Sequence, residues 1–111
     1  MCGIAGIFHY GDAGRVVDRD LLVAMTRCLA HRGPDGEGFH LDGPLGLGHR
    51  RVAIVDPSPT GAQPMGSPSG RSWISYNGES YNHSSFRPLL AERGVSFRGT
   101  SDTETLLLAL E

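Results

Sequence analysis

Cys2 stands directly behind Met1 and opens the run Cys2-Gly3-Ile4-Ala5-Gly6-Ile7-Phe8. Removal of Met1 leaves a thiol and a free α-amine on one residue. An α-amino group titrates near ~8, slightly below a cysteine thiol, so at neutral pH it can act as base for its own side chain. A covalent nucleophile needs that pairing, and here no distant histidine has to be recruited. The alternative is a small apolar residue starting a strand. Other groups bear on the choice. Arg51, ahead of the apolar run Val52-Ala53-Ile54-Val55, carries a rigid fork of donors suited to a carboxylate, or else is a surface arginine at a strand edge. Asn77-Gly78 is either a tight hairpin turn or an oxyanion hole made by the Asn amide and the Gly N–H. Glu79 and Asp102 can meet an ammonium, although an acid at a helix N-terminus, as Asp102 is expected to be, is stabilising by position alone. Jointly these parts describe a site that holds a free α-amino acid and attacks its side-chain carbonyl.

Other chemistries are poorly served. Histidines 9, 31, 40, 49 and 83 lack His-x₃-His spacing and the two cysteines form no Cys-x-x-Cys, so no metal site is expected. Asp35-Gly36-Glu37-Gly38 lacks the ligand spacing of a calcium loop. All ten basic residues are arginine, which excludes a Schiff-base lysine and a Gly-x-x-x-x-Gly-Lys phosphate loop. The net charge of −2 does not suit nucleic acid, and no apolar run is long enough to span a membrane. A charged signal-peptide start is missing, and two cysteines without an export signal point to the cytoplasm.

These side chains must be positioned by short elements in a chain of 111 residues, at most one domain. A strand is expected over residues 3–9, with close packing at Gly3 and Gly6. Asp18 caps a helix expected through about Ala30, with Leu21, Leu22, Met25, Cys28 and Leu29 on its buried stripe and Gly33 as its stop. Residues 31–38 read as a turn-rich connector, and 45–49 with 51–55 as one strand or a tight pair. Four prolines and three glycines make 57–71 a loop. Strand character returns at Trp73-Ile74-Ser75-Tyr76. A second helix is expected from about Ser84 to Arg93, ending at Gly94, with Pro88 tolerable only near its first turn. Ser101-x-x-Glu104 has capping-box spacing ahead of the apolar helix Leu106–Leu110, within which the chain stops as a truncated one would.

The ordered blocks Met1-Cys2-Gly3-Ile4-Ala5-Gly6, His31-Arg32-Gly33-Pro34-Asp35, Gly48-His49-Arg50-Arg51-Val52-Ala53-Ile54-Val55-Asp56, Gly61-Ala62-Gln63-Pro64-Met65, Tyr76-Asn77-Gly78-Glu79 with Tyr81-Asn82-His83, and Ser101-Asp102-Thr103-Glu104 resemble the glutaminase domain of class II glutamine amidotransferases. These are N-terminal-nucleophile hydrolases. The Arg-Gly-Pro-Asp and Tyr-Asn-Gly-Glu blocks are most similar to those of glutamine-hydrolysing asparagine synthetases. The resemblance implies an α+β fold, the αββα sandwich of that superfamily. Residues 1–111 would form its N-terminal part, with several strands and the synthetase domain absent.

By the same resemblance, Cys2 attacks the γ-amide of glutamine and passes through a γ-glutamyl thioester, with Asn77 and Gly78 holding the oxyanion. Arg51 holds the α-carboxylate, Glu79 and Asp102 meet the α-ammonium, and the backbone of Val52, Ala53, Ile54 and Val55 lines the pocket. Ammonia then feeds ATP-dependent amidation of aspartate to asparagine, with ATP and Mg in the synthetase domain of a full-length parent, itself a possible homodimer. Two departures are Ser80, where the family usually carries an apolar residue, and Pro57, where leucine is common. The competing expectations are an inactive fragment or interaction remnant, and an N-terminal-cysteine amidohydrolase feeding another acceptor.

Overall fold

The computed structural model describes residues 2–11, 14–52 and 58–111. Three antiparallel strands form its central sheet: β1 (Gly3–Phe8), β2 (Gly36–Asp42) and β3 (Leu45–Arg51), in the order β1-β3-β2. The 31–38 connector therefore ends early, because Gly36 already pairs with Arg51. β2 hides in the sequence behind Gly36 and Gly38, residues that ordinarily mark turns. It joins β3 through a two-residue turn in which Gly43 takes φ +54°, the geometry that asks for glycine at the first central position. β3 is one unbroken strand, while Ala53 to Pro57 lie outside the described residues.

Helix α1 (Arg19–Arg27) covers one face of this sheet. The Asp18 carboxylate caps it by accepting from the N–H groups of Asp20 and Leu21. The helix closes at Arg27 rather than Ala30, and residues 28–32 continue as tight turns, with Leu29 bonding back to Thr26 and Arg32 to Leu29. Gly33 is not its stop. A side chain at Gly33 would collide with the Arg50–Arg51 backbone, so glycine is needed there for close approach. The buried stripe runs through Leu22 and Thr26, and Cys28 is exposed rather than a buried structural thiol. The cause is a glycine seam on β3. A Cβ at Gly46 would lie 2.9 Å from Val17 and one at Gly48 would strike Thr26, so the helix seats its narrow Thr26 edge on the strand. Gly3 is similarly close to Leu29, whereas Gly6 has only ordinary contacts.

The opposite face carries a two-stranded ribbon, β4 (Met65–Gly66) and β5 (Trp73–Ile74). Strand structure stops at Ile74, two residues short of Tyr76, because Ser75 and Tyr76 turn their polar groups onto β3 and the neighbouring loop. His40 of β2 stacks on Trp73 at 3.7 Å, and His49 of β3 bonds the Tyr76 carbonyl. Residues 59–61 of the preceding loop form a single 3₁₀ turn.

Helix α3 (Asp102–Leu110) packs against β4 and β5, and α2 (His83–Glu92) packs on α3. α2 starts at His83, which puts Pro88 in its second turn and leaves the Ser84 carbonyl without its i+4 donor. Half of the expected capping box forms: Ser101 Oγ accepts from Glu104 N–H. The Glu104 carboxylate instead accepts from the N–H groups of Arg98 and Gly99, and Arg87 stands beside it at 3.7 Å. The packing order is thus helix, three-stranded sheet, two-stranded ribbon, helix. Among the described residues no helix is long and apolar enough to cross a membrane.

Candidate functional site

Strand alternation decides which side chains reach the site. On β3 the even positions face α1, and Arg50 accordingly donates to the Gly33 carbonyl and pairs with Glu37. Arg27 and Arg50 hold the Glu37 carboxyl below its ordinary range, the Arg27 bond contributing most. The odd positions His49 and Arg51 face the other way, toward the ribbon and α3. Because Gly3 pairs with Arg50, Cys2 arrives beside Arg51 and Val52. Val52 N–H donates to Cys2 Sγ at 3.3 Å, and the thiol faces the Val52 carbonyl at 3.7 Å. Arg32 Nε donates to the Cys2 carbonyl at 3.3 Å, which fixes the main chain at the strand entrance.

These residues open onto a cavity of about 340 Å³. That is the small end of the range for small-molecule sites. Cys2, Arg51 and Val52 form one wall, Tyr76 to Glu79 a second, and Ser101, Asp102 and Thr103 a third. Arg51 Nη1 donates to the Ser58 carbonyl at 2.9 Å, which sets the direction of its guanidinium. Asp102 is only 5% exposed, yet its described partners are two donors and no cation: Ser80 N–H at 2.8 Å on Oδ2 and the Thr103 hydroxyl at 3.5 Å on Oδ1. A buried carboxylate so placed invites a positive ligand group. Glu79 stands exposed at the rim, and its hydrogen bond with the Tyr81 phenol, reinforced by its negative charge, raises that phenol above its usual value.

Asn77-Gly78 does not form a hairpin turn. Neither residue has positive φ, and the segment runs along the cavity wall after β5, with Gly78 close to the Tyr76 ring. Of the residues singled out from the sequence, Cys2, Arg51, Val52, Asn77, Gly78, Glu79 and Asp102 all line this one cavity. Ala53, Ile54 and Val55 lie outside the described residues.

Gln63, which lines the cavity, and His49, which does not, carry no chemical signal of their own in the sequence. Gln63 sits between an alanine and a proline in a polar loop, and only the block containing it was informative. In the fold its amide reaches both Tyr76 and Thr103. His49 offers no ligand spacing, yet it is fully buried, with Nε2 on the Tyr76 carbonyl at 3.2 Å. Burial pushes its pKa down, the Tyr76 carbonyl opposes this, and the Arg51 charge adds to it. Among the described residues no group of three or more His, Cys, Asp or Glu side chains is arranged to hold a metal ion.

The family model described as glutamine amidotransferase domain matches residues 1–111. The chain is 38% identical over 108 residues to glutamine-hydrolyzing asparagine synthetase 1 of Bacillus subtilis, covering 96% of this chain and 17% of that protein. It is 39% identical over 106 residues to the corresponding synthetase of Triphysaria versicolor, with 96% and 17% covered. The root asparagine synthetase of Pisum sativum is 37% identical over 106 residues, with 96% and 18% covered. The chain therefore spans less than a fifth of the length of these relatives.

Proposed function

The chain belongs to the glutamine amidotransferase domain family, and from that membership we propose that it carries the glutamine-hydrolysing site of an asparagine synthetase-like enzyme. The observation that carries this reading is the convergence of Cys2, Arg51, Asn77, Gly78, Glu79 and Asp102 on one small cavity. Arg51 takes the α-carboxylate of glutamine through its guanidinium fork. Asp102, buried without a described cation beside it, takes the α-ammonium, with Glu79 at the rim as its second partner. Fixing both ends of the amino acid leaves the side-chain amide directed at Cys2.

After Met1 is removed, the α-amine of Cys2 accepts the thiol proton and the sulfur attacks the γ-carbonyl carbon. Charge develops on the carbonyl oxygen, where the Asn77 amide and the Gly78 N–H donate. The C–N bond breaks as the α-ammonium returns a proton to the leaving nitrogen, giving ammonia and a γ-glutamyl thioester. Water, deprotonated by the same amine, then attacks the thioester, and glutamate departs with the thiol restored. In the complete protein the ammonia amidates aspartate in a synthetase domain, where ATP and magnesium are used. No step within these residues uses either. The helix–sheet–ribbon–helix packing order supports the αββα arrangement of N-terminal-nucleophile hydrolases as the architecture that the remaining strands complete.

Glutamate release from glutamine by the full-length protein tests the reading, with intact mass reporting whether Met1 has been removed. Turnover is expected from the processed protein and not from Cys2→Ala. Equal turnover by Cys2→Ala would overturn the assignment.

A further inference from the structure

The cavity has two functional walls that belong to different elements: the Asn77-Gly78 segment after β5 and the first turn of α3 that carries Asp102. One side chain spans them. Tyr76 N–H donates to Gln63 Oε1 at 2.6 Å, and Gln63 Nε2 donates to Thr103 Oγ1 at 3.1 Å. Tyr76 immediately precedes Asn77, and the Thr103 hydroxyl in turn donates to Asp102 Oδ1 at 3.5 Å. The carbonyl and the NH2 of the Gln63 amide thus each reach a residue adjacent to a substrate-facing group, one on each wall. Resting on the function proposed above, we infer that Gln63 is a positioning residue that fixes the oxyanion donors relative to the ammonium-binding carboxylate.

Two features make the strut stiff enough for that role. The Gln63 backbone carbonyl lies against Gly38 of β2 so closely that any side chain at 38 would collide with it. The main chain at 63 is therefore seated on the central sheet. Tyr76 is also held from the opposite side, because His49 Nε2 bonds its carbonyl. With N–H and C=O both engaged, Tyr76 has little freedom to rotate, and the Asn77 amide and Gly78 N–H inherit its orientation. A glutamine is well suited to the bridge, since a single planar amide presents an acceptor and a donor in fixed, diverging directions.

The two arms predict different kinetic effects. The Tyr76 arm aligns the oxyanion donors and should act on kcat, since those donors act on charge that develops only in the transition state. The Thr103 arm orients Asp102 and should act on KM. In glutamine hydrolysis by the full-length protein, Thr103→Val is expected to raise KM roughly tenfold with kcat held within about threefold. Gln63→Leu should raise KM by a similar factor and also lower kcat roughly 10- to 100-fold, the scale of a small misplacement.

Combining the two should add no further KM increase, because both remove the same arm. Gln63→Glu keeps an acceptor for Tyr76 N–H and should resemble Thr103→Val, which guards against poor folding of the leucine variant. The inference is overturned if Gln63→Leu folds and leaves kcat within about twofold, if the two KM effects multiply, or if Gln63→Glu loses kcat as Gln63→Leu does. Absence of Cys2-dependent turnover in the unsubstituted protein would instead remove the functional reading itself.

Discussion

The Cys2 sulfur is held by the backbone of Val52, whose N–H and C=O both face it. The thiol is therefore oriented by main chain, and side-chain substitutions around the cavity can be made without releasing it. That separation makes Asn77 and Asp102 testable individually. Asn77→Ala should lower kcat for glutamine hydrolysis by roughly 10²–10³ with a much smaller change in KM, because the amide acts on charge that appears only in the transition state. Steady-state kinetics on the full-length protein measure it, and a loss confined to KM would remove Asn77 from the oxyanion site. Asp102→Asn should do the reverse, raising KM while largely preserving kcat. These residues were legible in the sequence because their types carry chemistry: a thiol, a guanidinium, an amide next to glycine, an acid ahead of a helix. Gln63 and His49 were not, since a side chain that positions another residue acquires its role only when the fold supplies partners, here Tyr76 and Thr103.

Elements were legible where periodicity or capping was local. Asp18 and Ser101 announced two helix starts that the fold realises through side-chain caps. β2 was not, because its glycines at 36 and 38 imitate a turn and its strand state depends on pairing with β3. The buried stripe on α1 departs from the helical periodicity for a related reason: the sequence of the helix cannot reveal that Gly46 and Gly48, some twenty residues away, leave a groove shaped for Leu22 and Thr26. Gly48→Ala should therefore destabilise the fold by about 1–3 kcal/mol. Urea unfolding should show partial recovery on adding Thr26→Ala, and an unchanged midpoint for Gly48→Ala would mean that α1 is not seated there. The α2–α3 junction depends on Arg87, whose Nη1 reaches the Gly99 carbonyl at 2.6 Å, Nη2 the Ser101 carbonyl at 2.8 Å and Nε the Thr105 hydroxyl at 2.9 Å. Its loss also strips the nearest cation from Glu104, only 3% exposed. Arg87→Leu should cost about 1–3 kcal/mol, as expected when part-buried acceptors lose a charged donor, again read from urea unfolding.

Across the whole molecule, layering rather than a deep core holds the parts together. The chain exposes 6680 Å², more than the roughly 6,000 Å² typical for its mass. Among the described residues the buried apolar side chains are few: Val17, Leu22, Met65 and Leu107. This arrangement was the least legible feature, because which face of the central sheet receives the ribbon is settled by contacts between residues far apart in sequence. His49 is one of those contacts, joining the middle of β3 to Tyr76 beyond β5 while fully buried. Burial, opposed by the Tyr76 carbonyl and reinforced by Arg51, keeps its pKa below the ordinary value of 6.5. The unfolded chain binds a proton at His49 as pH falls through about 6.5, whereas the folded chain resists until a lower pH. Stability from this residue is complete above about 6.5 and declines below it, by up to about 1.4 kcal/mol per pH unit, until the folded imidazole also protonates. Glu37, held low by Arg27 and Arg50, loses its contribution only below its ordinary value of 4.5, so the two windows separate. Unfolding free energy measured by urea at about pH 7.5 and about pH 5 should therefore fall, and His49→Gln, which keeps a donor for the Tyr76 carbonyl but cannot titrate, should flatten that slope. An identical slope in His49→Gln would assign the pH response to other groups and leave the joint between sheet and ribbon independent of protonation.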